Sequence, residues 1–370
     1  MYTNGGSALG LEDLAIYVSL VGSQIFFAVV TVLTGNELAK GTNPLTFVAY
    51  TSGFGGLLLS PFAFFFEKKS WSKVSFSLLG QLLLLSLGGV CAFQVLLLMG
   101  LKETSPSLAS AMPNLAPAII FVMAWTLGME KVDMKCAYSQ FKIVGTVICV
   151  CGAMAMSFLH GPALSQLWPS PQAQAHTQNI ILNFLHEGNS SKTITGCIYL
   201  LTAVIILSSS MILQGETLKK YPAPLSLTAI TSLLGSIQTA VLIMALDKGV
   251  YASSWFLDWS GVVTVMFGGM FCNAIAFSLQ SWCIQKRGPA FVATFGPVCT
   301  VCSAILSSSF LGETLHLGSV VGGLLIFGGL YLVLWGKSKE IDDERRVSDE
   351  EEQLDRPHKV SKDVKTPLLC

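Results

Sequence analysis

The chain has 370 residues, 52% of them hydrophobic and only 12% charged, and no formal net charge. A soluble domain carries about 25% charged residues, whereas here 18 of the 44 charges lie from Lys337 onward, leaving 26 for the 336 residues before it. This excludes a soluble enzyme, a nucleic-acid binder (a single Arg, Arg287, precedes the tail) and a disordered chain, and it predicts an all-α polytopic membrane protein.

Ten stretches meet the requirement of about 20 predominantly apolar residues: about 15–35, 45–66, 78–99, 107–128, 141–159, 196–215, 225–246, 260–282, 290–311 and 317–336. Glu12 and Asp13 stand before the first, where a signal peptide would carry basic residues. Residues 1–14 form a short N-terminus, 160–195 the only long loop, and 337–370 a polar tail expected to be disordered. The tail carries Ser348 before an acidic run, and Leu368-Leu369 near its end, close to a di-leucine sorting signal.

Loop charge sets the orientation. With the N-terminus cytosolic, ten loop Lys and Arg residues fall inside and four outside, and the tail also falls inside. The long loop, with the N-glycosylation acceptor Asn189-Ser190-Ser191, then faces outward. The expected location is the plasma membrane, with the vacuolar membrane as the alternative.

The chain repeats itself. At an offset of 183, Ser105-Pro106 meets Gly288-Pro289, and Leu127-Gly128-Met129-Glu130 meets Phe310-Leu311-Gly312-Glu313; at 180, Asn43-Pro44-Leu45 meets Ala223-Pro224-Leu225. The expected architecture is therefore two five-helix repeats, 15–159 and 196–336. Five is odd, so the second repeat enters the membrane inverted, an arrangement that places a transporter's site between the halves near mid-membrane. Pro113 and Pro117 in the fourth span, and Pro297 in the ninth, free carbonyls that protein or cavity water must satisfy. These paired breaks are the expected helix-break or gating elements, with Glu130 and Glu313 at the span ends as gate contacts or plain solvated carboxylates.

No ionisable side chain lies in the middle of an expected span, which favours facilitated diffusion over ion coupling. The neutral polar residues at depth are the substrate-binding candidates: Gln24, Gln94, Asn114, Gln238, Asn273 and Gln280, with Trp282 as an aromatic wall or interface anchor. Amides and freed carbonyls can hold a zwitterion without formal charge. Interhelical bonding is the competing use for each amide. Glycine pairs such as Gly55-Gly56 and Gly268-Gly269 predict close packing within the chain rather than a dimer face. There is no catalytic motif, no cofactor fingerprint and no metal-ligand cluster.

Several stretches together resemble one family. Trp282-Cys-Ile-Gln-Lys-Arg-Gly-Pro-Ala-Phe-Val292, Thr104-Ser-Pro-Ser-Leu-Ala-Ser-Ala-Met-Pro-Asn-Leu-Ala-Pro-Ala118, Leu311-Gly-Glu-Thr-Leu315 and Tyr221-Pro-Ala-Pro-Leu-Ser226 are similar to motifs of the plant nodulin-like transporters. These are the "walls are thin"-related or UMAMIT proteins, with two EamA domains, in the drug/metabolite transporter superfamily. The resemblance spans about residues 15–336 and implies ten helices, cytosolic termini and bidirectional movement of amino acids or related small metabolites. Some relatives carry auxin, so auxin or another aromatic metabolite is the alternative cargo. A regulatory membrane protein with vestigial transport is a further reading. One departure stands out: the family often has Tyr-Arg early in the second helix, and this chain has Tyr50-Thr51.

Overall fold

The computed structural model describes residues 5–40, 42–68, 76–103, 112–128, 137–158, 191–246, 257–310, 320–333, 335–336 and 339. The expected Glu130, Glu313 and Asn189, and nearly all of the loop and tail, lie outside these residues.

The described chain is helical throughout. In order come α1 (Gly5–Ala39), α2 (Pro44–Phe66), α3 (76–103), α4 (Ala116–Thr126) after a 3-10 turn at Met112–Leu115, α5 (Ala137–Phe158), α6 (Ser191–Lys220), α7 (Pro224–Leu246), α8 (Trp259–Arg287), α9 (Pro289–Ala293 and Gly296–Phe310) and α10 (Val320–Val333). Among the described residues, seven helices are long and apolar enough to cross a membrane; those at Met112–Thr126, Ser139–Gly152 and Val320–Val333 are shorter. Large apolar side chains such as Phe65, Phe76 and Leu324 point outward, as lipid-facing surfaces require.

Local chemistry sets the helix starts. Pro44 and Pro224 occupy first-turn positions, where the missing N–H costs nothing. Asn43 caps α2 by accepting from Leu45 N at 3.0 Å. At α7 the cap comes from another helix: the Glu67 carboxylate, just beyond α2, accepts from Leu225 N at 3.1 Å and Ser226 N at 2.7 Å. A negative charge against the positive end of the helix dipole is favourable. Gly288 joins α8 to α9 at φ 84° and ψ 164°, backbone that essentially only glycine adopts.

Two features recur about 180 residues apart. Both α3 and α8 widen into π-helical turns, at Leu87–Ala92 and Gly268–Ala276. The 3-10 turn at Met112–Leu115 enters α4, and α9 is interrupted at Thr294–Phe295, just before Pro297. There the chain tightens to short-range bonds, Phe295 N to Val292 O and Val298 N to Phe295 O. The packing repeats as well. α2 lies along α7, α1 packs on α8 and α9, and α6 packs on α3 and α4, the same pairings five helices on.

Direction can be read from the largest core cluster. Ile16 and Leu20 at the start of α1, and Leu78, Leu82 and Leu85 early in α3, meet Leu218 at the end of α6 and Cys283 and Ile284 at the end of α8. Thus α6 and α8 run antiparallel to α1 and α3. At this end Tyr17, Phe291 and Phe295 pack together, with ring centroids 5.5–6.4 Å apart. The same end is braced by the ion pairs Lys286–Glu12 and Arg287–Asp13.

Helix contacts are closest at glycine, as expected where apolar lipid gives no hydrophobic drive and van der Waals contact must do the work. A Cβ on Gly55 of α2 would lie 2.6 Å from Gly269 O and 2.5 Å from Asn273 Cβ on α8. A Cβ on Gly145 of α5 would lie 2.6 Å from Gly329 O on α10, and the reverse distance is the same.

Candidate functional site

A cavity of about 130 Å³ lies among α3, α6, α7 and α8. Its polar lining comprises Ser210 and Gln214 from α6, Thr228, Thr231 and Ser232 from α7, and Asn273, Gln280 and Ser281 from α8. Leu85, Val90, Met211 and Phe277 are among its apolar walls. No lining residue is ionisable. A dry protein cavity of about 150 Å³ holds benzene, so this one suits a solute of comparably small size.

The hydrogen bonds give the lining a division of labour. Gln214 Nε2 donates to Ser281 Oγ at 2.7 Å, and Thr228 Oγ1 sits 2.9 Å from the same oxygen. The hydroxyls of Ser210, Thr231 and Ser281 donate to carbonyls of their own helices, at Ile206, Leu227 and Phe277, each 2.8 Å away. With their hydrogens so committed, the oxygens of Ser210 and Thr231 present lone pairs to the cavity, while that of Ser281 is already engaged by Gln214. Asn273 and Gln280 make no hydrogen bond to described residues, so their amides supply N–H donors as well as acceptors. Acceptors suited to an ammonium and donors suited to a carboxylate thus share one uncharged cavity. The π-helical turn in α8 contains Asn273 and ends four residues before Gln280, consistent with the tendency of such turns to fall at functional sites.

Of the residues singled out in the sequence, only Asn273 and Gln280 line this cavity. Asn114 is buried beside the entry to α4, and its Oδ1 accepts from Thr300 Oγ1 of α9 at 2.9 Å, a bond between the two repeat-related segments. Gln238 Nε2 donates to Leu83 O of α3 at 3.3 Å. Gln24 is buried on α1 and Gln94 half-buried on α3, and neither bonds a described residue. Trp282 lines a separate lateral groove with Glu67. Pro117 and Pro297 are buried and Pro113 half-buried at the two helix breaks.

Sequence reasoning missed Gln214, Ser281 and Thr228. Gln214 fell at the edge of a span ending near 215, but α6 continues to Lys220 and carries it inside. It also missed two buried ionisable groups. Glu37, near the end of α1, is 3% exposed; it accepts from Lys40 Nζ at 2.7 Å and from Ser260 Oγ of α8 at 3.3 Å. Lys142, 5% exposed in the early part of α5, faces Phe121, Thr146, Phe291 and Thr294. Thr51, where the related proteins often have Arg, is buried at the α2–α8 crossing and donates to Phe47 O at 2.8 Å. Its own carbonyl would lie 3.0 Å from a Cβ on Gly269, so the two helices meet here at glycine.

A multi-helix membrane bundle around a small polar cavity is the build of a solute carrier, and comparison with known proteins agrees. The profile of the EamA-like transporter family matches the chain twice, at residues 14–158 and 194–335. A WAT1-related protein of Arabidopsis thaliana is 41% identical over 334 residues, covering 89% of this chain and 88% of the relative. Protein WALLS ARE THIN 1 of the same plant is 36% identical, covering 89% and 85%. A crystal structure superposes with a TM-score of 0.62 at 16% identity, over 87% of this chain and 99% of the other, and shows the same fold. The chain belongs to the EamA-like transporter family, among its plant "walls are thin"-related members.

Proposed function

We propose that this transporter is a bidirectional facilitator of small neutral amino acids, built as ten spans in two inverted five-helix repeats and working by alternating access. The uncharged central cavity carries the reading. Its oxygens are placed for an ammonium and the amides of Asn273 and Gln280 for a carboxylate. Gln214, Ser281 and Thr228 form the polar floor. The modest volume favours small amino acids over the larger auxin-like aromatic metabolites.

Two observations support inverted repeats: the recurrence of π-helical turns and helix breaks at one offset, and the antiparallel run of α6 and α8 against α1 and α3. Rocking of one half against the other exposes the cavity to each side in turn. The aromatic cluster of Tyr17, Phe291 and Phe295, with the two ion pairs beside it, serves as the gate at the end where α1 begins. Pro113, Pro117 and Pro297 mark the segments that flex. Loop charge supports cytosolic termini, and the plasma membrane is the proposed location.

The test is efflux of a panel of labelled amino acids, with labelled auxin beside them, from preloaded oocytes at two external pH values. The proposal expects efflux of small neutral amino acids at rates that ignore pH. Efflux of auxin alone, or of no solute with the protein shown at the surface, overturns it.

A further inference from the structure

A second site lies on the outside of the bundle. Between α2, α7 and α8 runs a groove of about 700 Å³ whose walls are apolar apart from three groups: Glu67, Ser278 and Trp282. One wall is a straight stripe on α8, Met270, Ala274, Ser278 and Trp282, spaced four residues apart. Leu58, Leu59 and Phe62 of α2 face it.

The groove is graded along its length. Glu67 and Pro224, where α2 ends and α7 begins, stand at one end with Trp282, and the opposite end is wholly apolar. From Trp282 to Met270 is twelve residues, or about 18 Å at about 1.5 Å per residue. That is close to one leaflet's share, about 15 Å, of a hydrocarbon core about 30 Å thick. Exposed Phe62, Met270 and Ile275 show that the groove opens on the apolar belt. Water gains nothing from such walls, and hydrocarbon fills them.

Two polar features say what the chain in the groove must carry. Ser278 is 7% exposed and its Oγ is fully enclosed, with no hydrogen-bond partner. A buried hydroxyl calls for a partner, and here it stands one helical turn inside the Trp282 level, the depth of a glycerol ester carbonyl. The Glu67 carboxylate stands at the mouth and accepts two backbone N–H bonds. Beside an indole, which attracts cations through its face, that carboxylate selects an ammonium. Lys68, next in the chain, is not part of the groove lining, and its Nζ lies 5.9 Å from the Phe64 ring centre.

We propose that this groove binds one zwitterionic phospholipid. Its ammonium lies at Glu67 and Trp282, an ester carbonyl accepts from Ser278 Oγ once a χ1 turn brings that oxygen to the groove surface, and one acyl chain lies along the α8 stripe toward Met270. The site rests on the membrane-spanning reading of the bundle and is independent of the cargo.

The test uses the full chain, purified in detergent with an equimolar mixture of phosphatidylethanolamine and phosphatidylglycerol of identical acyl chains. Bound lipid per chain is counted by native mass spectrometry. One phosphatidylethanolamine is expected to be retained, in at least several-fold excess over phosphatidylglycerol. Ser278→Phe, which fills the groove, is expected to lose it, and Ser278→Ala to weaken it several-fold. Ile275→Trp narrows the groove from its exposed edge without entering the core, and is expected to lose the lipid even if Ser278→Phe fails to fold. Equal retention of the two lipids, retention of neither, or undiminished retention in Ile275→Trp overturns the proposal. Because no transport is measured, failure here leaves the carrier reading standing.

Discussion

The crossing of α2 on α8 ties packing to the cavity, and Gly55→Ala probes both. The added Cβ would lie 2.5 Å from Asn273 Cβ and 2.6 Å from Gly269 O. Ordinary carbon contacts begin near about 3.5 Å, so the helices must separate by about 1 Å or Asn273 must move with its segment of α8. Forcing one methyl into a closely packed contact costs about 1–3 kcal/mol. Helix propensity returns about 0.5–1 kcal/mol, because alanine replaces glycine in a helix interior. The net is a loss of up to about 2.5 kcal/mol, and the displaced residue is a cavity wall. Gly22→Ala is the matched control: nothing lies within 4 Å of its added Cβ, so it keeps only the propensity gain. The assay pairs thermal unfolding in detergent with solute efflux from proteoliposomes. Gly55→Ala is expected to unfold at lower temperature and to transport with raised KM, while Gly22→Ala matches or exceeds the parent in stability. Equal stability and equal KM for both variants would refute the reasoning.

Ser281→Ala strips the acceptor from Gln214 Nε2 and the partner from Thr228 Oγ1. A buried polar group left unpaired costs about 1–3 kcal/mol, so lowered thermal stability and a raised KM for efflux are expected. Gly288→Ala forces a side chain into backbone at φ 84°, which costs about 1–3 kcal/mol and tilts α9 against α8; a drop in both stability and maximal rate checks it. Since no ionisable group lines the cavity, initial efflux is expected to be flat between about pH 5.5 and 7.5, measured with internal and external pH equal. At the turn before α7, burial pushes the Tyr221 phenol above its ordinary value, nearby Glu67 adds to this, and Ser226 opposes it. A raised phenol pKa leaves stability unchanged below the unfolded value of about 10 and erodes it as pH rises through the folded value. Tyr221→Phe is therefore expected to unfold less readily than the parent above about pH 10 and equally at neutral pH.

Much of this molecule is written openly in the chain, because membrane burial makes its demands residue by residue. Spans of about twenty predominantly apolar residues, a lone Arg before the tail and prolines recurring at offsets of 180 and 183 residues follow from lipid's intolerance of charge and of free carbonyls. The helix breaks beside Pro113 and Pro297 were legible for that reason. The π-helical turns were not, since Leu87–Ala92 and Gly268–Ala276 look like ordinary apolar runs. Glu37 escaped notice because the first apolar run ends near 35 whereas α1 continues to Ala39; Gln214 and Lys142 stand at the ends of their expected spans, where a polar side chain reads as solvated. Asn114 shows the opposite limit. Its place between two prolines is plain in the sequence, but its bond to Thr300, 186 residues away, depends on which helix lies opposite.

The central claim is that solute passes through the cavity lined by Asn273, Gln280 and Ser281. Initial efflux of a labelled small neutral amino acid from proteoliposomes tests it most directly, with Ser232→Trp, Gln238→Leu and the parent compared at equal protein density. Ser232 is buried on the cavity wall, while Gln238 ties α7 to α3 outside it. The account predicts that Ser232→Trp abolishes efflux and that Gln238→Leu retains most of it. Parent-like efflux through Ser232→Trp would contradict the account.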